Sequence, residues 1–591
     1  MEDRLASSAA PRPTEVPANR LKVLLPLPLA GALDYRAPTG AAPPAPGSFV
    51  RVPLGTRDRI GVVWDGAADG DGPSPARLKP VLETLPTPPL RPELRRFVER
   101  VALYTMAPPG AVLRMAMSVA EALLPPPPRR ACAPTTAGLA ALAGAAKLTP
   151  ARRRVLERLR EAGTMPAAEL ARRAECGVGV VRGLLAAGLV GERRIAAETP
   201  VPAGAELPPD WRTRGPALSA DQAAAARRLI ARIEAGGFSV TLLDGVSGAG
   251  KTETYFAAVA AALAAGRQVL VLLPEIALSA QWLERFRERF GTLPAQWHSE
   301  ISQAERRDTW RAVAAGRAPV VVGARSALFL PFPDLGLIVV DEEHDSSYKQ
   351  EEGVCYQARD MAVLRASLAH IPIVLVSATP SLETVVNVAR GRYERVALPR
   401  RHAAARLPEM RLVDMRRERL ETGRFLAPPL AGEIAATLAA GEQALLFLNR
   451  RGYAPLTLCR ACGYRFCCPN CTAWLVEHRF TRRLLCHHCG HAEPVPPDCP
   501  ECLASGTLVP CGPGVERLRE EVTARFPEAR LALMVSDLLG GPRAAAELVR
   551  GMTERRFDVL IGTQIVAKGH HFPQLTLVGV VDADLGGSDG D

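Results

Sequence analysis

Apolar residues recur along this chain with two different periods. In the first hundred residues LKVLLPLPL, SFVRVPLG and RIGVVWD are short apolar runs broken by turn residues, and they predict strands. RPELRRFVERVALYTM then predicts a helix with its apolar face at Leu94, Phe97, Val101 and Leu103. A β-rich domain is therefore expected over 21–124, behind an Ala/Pro/Ser-rich tail at 1–20 expected to be disordered, and Pro125–Pro128 reads as a stiff spacer. Over 138–196 the pattern gives three short helices and a strand. Leu170, Val180, Val181 and Leu184 point inward across a helix–turn–helix, and LVGERR follows as a wing. A winged helix is expected there, with an ordinary three-helix bundle as the alternative. ETPVPAGAELPPDWRTRGPA is a second linker, and after Leu218 strand and helix patterns alternate as in a parallel α/β sheet. The fold class is thus multidomain α/β: one lobe over 218–400 and a second over 427–591, the latter carrying a Cys-rich insertion at 457–511.

The 591 residues fit roughly four domains of about 150 residues, which excludes a single small module. A hydrophobic fraction of 48% with 23% charged residues excludes wholesale disorder. No apolar stretch is long enough to span a bilayer, and MEDRLASSAAPRPTEVP has no basic segment leading into an apolar one, so a cytoplasmic protein with no membrane partner is expected. The formal charge of +11 favours a polyanionic partner, although it could also be a plain solvated surface. Only six of the 73 basic residues are lysines: Lys22, Lys79, Lys147, Lys251, Lys349 and Lys568. In a chain this biased towards arginine, a lysine marks a place where a compact ammonium does what a planar guanidinium cannot.

Lys251 stands in such a place. The strand SVTLLDG runs into Gly245-Val246-Ser247-Gly248-Ala249-Gly250-Lys251-Thr252, and a helical segment follows. This is GxxxxGK[ST] in strand–loop–helix context. Backbone N–H groups of the glycine-rich loop cradle phosphates, Lys251 reaches the β and γ phosphates of ATP, and the Thr252 hydroxyl ligates Mg²⁺. A second strand, LGLIVV, delivers Asp341-Glu342-Glu343-His344 to the carboxyl edge of the sheet, where ligands of such sheets bind. Asp341 is the expected Mg²⁺ ligand, and Glu342 the group that polarises the attacking water. A third strand, IPIVLVSATPS, brings Ser377 and Thr379 to the same rim. The three strand ends together predict an ATPase.

Thirteen cysteines without a secretory signal argue for metal rather than disulfides. Four CxxC knuckles, Cys459/Cys462, Cys468/Cys471, Cys486/Cys489 and Cys499/Cys502, supply ligands for two tetrahedral Zn²⁺ sites. Two knuckles of one ribbon need a hairpin between them, and 471–486 is the gap of that length. The spacing therefore pairs 468/471 with 486/489 and leaves 459/462 with 499/502 outside. Cys467 lacks a partner three residues on and is set aside, as are His487, His488 and His491; an iron–sulfur cluster is the competing use of the same spacing. Cys132, Cys176, Cys355 and Cys511 read as ordinary buried thiols.

GxxxxGKT, DEEH and SATP in this order resemble a superfamily 2 helicase. LLPEIALSAQ, HSEISQAERRDTW, VVVGARSALFLPF, DEEHDSSYKQEEG, NRRGYAP, GTQIVAKGHHFPQLTLVGVVDAD and the eight cysteines narrow the resemblance to the PriA family of replication-restart helicases. The resemblance implies two RecA-like lobes, a 3′-DNA-end-binding domain, 3′ to 5′ DNA unwinding, and recognition of forked and single-stranded DNA. It also implies contact with single-stranded DNA-binding protein and with primosome or helicase-loading proteins, in the nucleoid. By resemblance Asp34 and Tyr35 fall in the pocket for a 3′-terminal nucleotide, where a carboxylate accepts the proton of a free 3′ hydroxyl and repels a continuing phosphodiester. Lys79 supports a phosphate there; Arg325, Lys349 and Lys568 face DNA; Gln222 reads adenine; Ser377 and Thr379 couple phosphate state to DNA grip; and the zinc insertion docks and separates strands.

One departure qualifies that reading. Beyond LTLVGVVDAD the sequence shows LGGSDGD where the family carries QxxGRxGR, the motif with the arginine that neutralises the γ-phosphate in the transition state. The second lobe is therefore expected to be incomplete. The alternative function is a fork-binding scaffold that binds ATP and zinc without efficient turnover; an RNA helicase is a weaker one.

Overall fold

The computed structural model describes residues 20–581 apart from 39–41, 67–76, 126–128, 146, 196–206, 275–279, 402–407, 416, 419–423, 449–455, 460, 472–473, 479–482, 487, 512–513, 536–541, 564–565 and 567–571. The chain divides into two compact units, 1–272 with 290–400, and 273–289 with 401–591.

The first unit opens with an antiparallel five-stranded sheet in the spatial order Leu33–Arg36, Arg20–Leu24, Arg57–Val63, Phe49–Leu54, Glu83–Thr84. Alternation along these strands makes both faces apolar. Val23, Leu25, Tyr35, Val50, Val52 and Val63 fill one face, while Leu24, Phe49 and Val62 lie under the helix Pro92–Thr105 on the other. That helix buries Leu94, Phe97, Val98, Val101 and Ala102. Leu103, expected on the same face, is 73% exposed instead: two residues past Val101 is more than half a helical turn away.

Linkers were expected to hold this domain apart, but it shares its core with the α/β lobe. Trp310 Nε1 donates to the Ala116 carbonyl at 2.9 Å, and the Phe97 and Phe329 rings pack at a tilt with centroids 5.2 Å apart. Arg311 donates to the carbonyls of Glu121, Ala122 and Leu124. The Arg365 guanidinium lies 5.8 Å from the Phe97 ring centroid and 5.4 Å from that of Phe332, and it donates to the Leu330 carbonyl at 2.7 Å. Burial pushes Arg365 down to about 9, so it stays charged at neutral pH.

The next segment packs Leu156, Leu159, Leu170, Val181 and Leu184 between the helices Pro150–Ala162, Ala167–Arg173 and Val178–Ala186, with Val180 partly buried beside them. The strand Val190–Ile195 pairs antiparallel with Arg129–Pro134, so the folded segment begins earlier than the expected 138. The reason is Cys132, buried in that core on a strand the sequence pattern assigned to neither domain.

The lobe proper is a seven-stranded parallel sheet in the order Ala295–Trp297, Val320–Gly323, Gln268–Leu272, Leu335–Val340, Pro372–Ser377, Ser239–Gly245, Glu394–Leu398. Leu335–Val340 and Pro372–Ser377 are buried at every position, as strands covered on both faces must be. The strands ending at Val340, Ser377 and Gly245 are immediate neighbours, which gathers their three loops at one edge.

The second unit holds a four-stranded parallel sheet, Leu531–Met534, Val559–Gly562, Gln443–Leu448, Leu575–Val581. The Cys-rich insertion leaves and returns through the strand pair Leu456–Cys459 and Leu508–Cys511 and encloses a three-stranded antiparallel sheet. Among the described residues no helix is long and apolar enough to cross a membrane.

Candidate nucleotide edge, zinc ribbon and DNA-end pocket

Gly250 carries φ 79 and ends the loop as the N-cap of the helix Lys251–Ala264, with no side chain capping that end. The N-terminal N–H groups of such a helix suit a phosphate. A Cβ on Gly250 would fall 2.1 Å from Gln222 Nε2, so glycine is required by conformation and by space alike. Gln222 is 3% exposed: its Oε1 accepts from Ser219 N at 2.9 Å and its Nε2 donates to the Ala249 carbonyl at 2.9 Å. Gln222 thus holds the loop's backbone from behind. Lys251 Nζ donates to the Gly245 carbonyl at 3.0 Å, across the mouth of the loop.

Asp341 faces this loop. Tyr255, one turn into the helix that Lys251 begins, donates to its Oδ2 at 2.8 Å, and Glu342 N donates to its Oδ1 at 3.0 Å. The Asp341 carboxyl is pushed up to about 6, first by burial and then by the neighbouring Glu342, against the pull of Tyr255 and Lys251. A buried, easily protonated carboxyl beside a second carboxylate is relieved by a divalent cation, which favours both charged forms. Glu342 adopts φ 48, a left-handed conformation costly for a residue with a Cβ, and its side chain remains 41% exposed. The donor set fits Mg²⁺–ATP: Lys251 suits phosphate, Thr252 and Asp341 suit the metal, and Glu342 suits a water.

The other half of the acidic motif turns away. His344 Nδ1 lies 2.8 Å from Ser377 Oγ, which also accepts from Thr379 N at 3.0 Å. Ser377 is fully buried and Thr379 exposed. Glu343 is fully buried as well and reaches Ser381. The sequence reading missed Tyr255, Glu343 and Ser381. Tyr255 had a signal in its spacing, four residues after Lys251 and so one helical turn on.

In the ribbon the eight thiols form two groups. Cys459, Cys462, Cys499 and Cys502 form one; Cys468, Cys471, Cys486 and Cys489 form the other; within each, all four Sγ atoms lie within 4.8 Å of one another. The nested pairing expected from spacing is the one found. Cross-knuckle Sγ–Sγ distances are 3.6 Å for Cys459–Cys502 and Cys462–Cys499, and 3.4 Å for Cys468–Cys489 and Cys471–Cys486. Tetrahedral Zn²⁺ with bonds of about 2.3 Å holds sulfurs about 3.8 Å apart, so each group fits one zinc ion. Thiolates this close surround a single ion; a [2Fe–2S] cluster would divide them between two irons and a [4Fe–4S] cluster among four, spreading the sulfurs further apart. Backbone N–H groups of Ala461 and Asn470 point at Cys459 and Cys468 Sγ, both at 3.4 Å, and N–H donors of this kind stabilise a thiolate. Cys467 is exposed and stands outside both groups.

The DNA candidates lie in several places. Asp34 Oδ2 accepts from Arg20 at 2.8 Å, while Oδ1 is buried with no hydrogen-bond partner among the described residues. An acceptor left in that state is matched by a hydroxyl donor. Tyr35 is 3% exposed, its hydroxyl donating to the Pro53 carbonyl, so it offers no stacking face. Lys79 is exposed, and its carbonyl accepts from Arg36 N. Arg325 donates to the carbonyls of Ser347 and Lys349, both at 2.9 Å, which fixes the loop that presents Lys349. Lys349 is exposed, 3.6 Å from Glu351. Lys568 and the NRRGYAP segment from Asn449 to Pro455 lie outside the described residues. Of the four cysteines expected to be buried, Cys132 is; Cys176 is half-buried and Cys355 exposed, the latter because it sits in a surface turn with Sγ towards the Glu351 carbonyl.

Three family models match parts of this chain. Residues 22–118 match the PriA 3′DNA-binding domain, 220–388 the DEAD/DEAH box helicase, and 468–494 the PriA DNA helicase Cys-rich region. The replication restart protein PriA of Rickettsia conorii is 50% identical over 351 residues, 59% of this chain and 54% of that protein. Over these residues the chain resembles PriA proteins. The Bacillus subtilis member is 44% identical over 368 residues, 62% of this chain and 46% of that protein, so the chain spans about half the length of the PriA proteins it matches. Among solved structures, RecG bound to a three-way DNA junction aligns over 64% of this chain and 41% of that chain with 15% identity and a TM-score of 0.38, too low to assign anything by. The match to the PriA Cys-rich region spans the inner cysteine group, and the DEAD/DEAH box helicase match spans most of the seven-stranded sheet. Asp34 falls inside the match to the 3′DNA-binding domain.

Proposed function

We propose that the chain is the motor and DNA-end reader of a replication-restart helicase: it hydrolyses ATP, moves 3′ to 5′ on single-stranded DNA, recognises stalled or abandoned forks and promotes primosome assembly. The observation that carries this reading is the convergence of Lys251, Thr252, Asp341 and Glu342 at one sheet edge, in a unit that also holds a 3′DNA-binding domain. Mg²⁺–ATP, when bound, supplies the phosphoryl group whose transfer drives the motion. Lys251 would neutralise the phosphate oxygens, Thr252 and Asp341 would hold the metal, and Glu342, exposed and adjacent, would take the proton of the attacking water.

On this reading 21–124 is the 3′-end-binding domain, 138–196 with its added strand a winged helix, and 218–400 and 427–591 the two lobes. Asp34 accepts the free 3′ hydroxyl, Lys79 and Lys349 contact backbone phosphate, and Arg325 acts through the loop that carries Lys349. Lys568 is assigned to DNA by its motif. Gln222 shapes the phosphate loop from behind, and its reading of adenine rests on the resemblance alone. Single-stranded DNA-binding protein and primosome or helicase-loading proteins are the partners that the resemblance to PriA suggests, in the nucleoid of the cytoplasm.

The test is ATP hydrolysis by this chain with and without forked DNA, against Lys251→Ala. Loss of one charge aimed at the transferring phosphate is expected to lower the rate by about 10²–10³-fold. A wild-type rate no higher than that of the variant would favour the non-hydrolysing scaffold.

A further inference from the structure

Among the scarce lysines, Lys22 has no part in the chemistry above, yet it stands beside the carboxylate assigned to the DNA end. In the end-binding sheet Lys22 on the strand Arg20–Leu24 is the register partner of Asp34 on Leu33–Arg36. On its other side Trp64, the residue after the strand Arg57–Val63, donates its N–H to the Lys22 carbonyl at 2.8 Å. Register partners share a face, and Lys22 and Trp64 line one cavity. Asp34, Lys22 and Trp64 therefore form a row across three adjacent strands. With neighbouring strands about 4.8 Å apart, the row is about 10 Å long.

The cavity at the far end of that row has a volume of about 330 Å³, the size of a small-molecule site. Leu24, Ala32 and Pro109 give it apolar walls, and Lys22 and Glu99 bring it charges of opposite sign. Asp65 borders it too but is engaged by Arg95, whose Nε and NH2 reach its two oxygens at 2.6 and 2.8 Å. Glu99 is held differently. Trp64 Nε1 donates to its Oε1 at 2.7 Å, and among the described residues no hydrogen bond reaches its Oε2. A neutral indole thus fixes this carboxylate without cancelling its charge.

The row follows the order of groups at the end of a DNA strand. With the 3′ hydroxyl on Asp34, the phosphate that joins the last two nucleotides comes next, and the base of the second nucleotide follows. We propose that Lys22 holds that phosphate and that the cavity of Trp64 and Glu99 takes the second base from the 3′ end, guanine best. A compact ammonium suits a single phosphate. A fixed carboxylate accepts from the adjacent N1–H and N2–H₂ of guanine, whereas thymine offers one N–H between two carbonyls that repel it. The proposal rests on the reading of Asp34 as acceptor of the 3′ hydroxyl.

The experiment measures, by fluorescence anisotropy, the affinity of this chain for forks whose leading strand has a free 3′ hydroxyl and G, A, C or T second from that end. Guanine is expected to bind about tenfold tighter than thymine there, and equally when the change is made at the fifth position. Glu99→Gln should bring the ratio below about twofold without weakening the thymine fork. Lys22→Met should weaken all four forks alike, and a neutral methylphosphonate at the last linkage should weaken the wild type but not Lys22→Met. Equal affinity of the wild type for the four forks, or a guanine preference that persists at the fifth position, overturns the proposal. So does a full ratio in Glu99→Gln or a methylphosphonate effect that survives in Lys22→Met. The wild-type series needs no variant and decides even where Glu99→Gln fails to fold. A 3′ phosphate on the same fork tests Asp34 separately. Equal binding of the hydroxyl and phosphate ends sinks the end reading, whereas an end preference without a base preference sinks the cavity alone.

Discussion

The nucleotide edge and the zinc ribbon are both sets of loops projected from strand ends, but different forces hold them. At the nucleotide edge a seven-stranded sheet buried on both faces fixes three neighbouring strand ends, and the loops inherit their positions from it. The ribbon has strands of three and four residues and an apolar cluster of little more than Phe466, Leu475 and Leu484 beside Cys468 and Cys486. A cluster that small does not offset the entropy of ordering its loops. The first site is placed by its core, whereas the second must be placed by its metal.

Removing zinc gives the largest effect if that contrast holds. Structural zinc contributes on the order of 10 kcal/mol of folding free energy, so chelation should unfold the ribbon outright. Limited proteolysis should then cut within 457–511, while nucleotide binding by the first unit survives. Cys468→Ser should leave about one zinc per chain by metal analysis, because the two thiol groups share no residue. Loss of nucleotide binding on chelation would break the contrast.

Within the sheet-held unit the matching probe is Arg365, wedged between the rings of Phe97 and Phe332. Arg365→Ala loses two cation–π contacts and a charged hydrogen bond to Leu330, about 2–4 kcal/mol by thermal melting. Because the end-binding domain and the lobe share one core, both should melt in a single transition, in the variant as in the wild type. Two separate transitions would show that the shared core couples the domains less than its burial implies.

A smaller effect is expected at the pocket whose carboxylate is half engaged. Asp34→Asn weakens an acceptor for a 3′ hydroxyl, so affinity for a fork with a free leading-strand 3′ end should fall about tenfold, measured by fluorescence anisotropy. Affinity for the same fork ending in a 3′ phosphate should change little or rise, since the repelling charge is gone. Equal losses on both forks would remove Asp34 from end recognition.

What could be read from the sequence follows the same division. Asp341, Lys251 and the thiol pairing were legible because each depends on local order: a strand, a loop of fixed length, or a knuckle spacing. The shared core of the end-binding domain and the lobe was not, because Trp310 and Ala116 lie far apart in the chain and nothing in the period of either segment names the other. Leu103 was misplaced by two residues of helical phase. Glu343 looked like one more acid of a polar loop; its burial appears only once Ser381 and Arg359 arrive from other elements.

The smallest prediction sharpens the contrast inside the ribbon. In three knuckles the residue after the second cysteine takes a positive φ: Gly463 at 79, Gly490 at 77 and Leu503 at 57. This conformation turns the chain around the thiolate, and a residue with a Cβ adopts it at a cost of about 1 kcal/mol. Leu503 is 77% exposed, so its side chain returns little of that cost by burial. Leu503→Gly should therefore stabilise the outer zinc site by about 1 kcal/mol, less the extra backbone entropy that glycine gives the unfolded chain. Competition with a chromophoric chelator would show it as slower release of one zinc of the two. Gly463→Ala, on the same outer site, should shift release in the opposite direction, because only the φ requirement is then violated and no neighbour lies within 4 Å of the added Cβ. If both substitutions left release unchanged, turn geometry would not limit the metal's hold, and the ribbon's order would rest on its zinc–sulfur bonds alone.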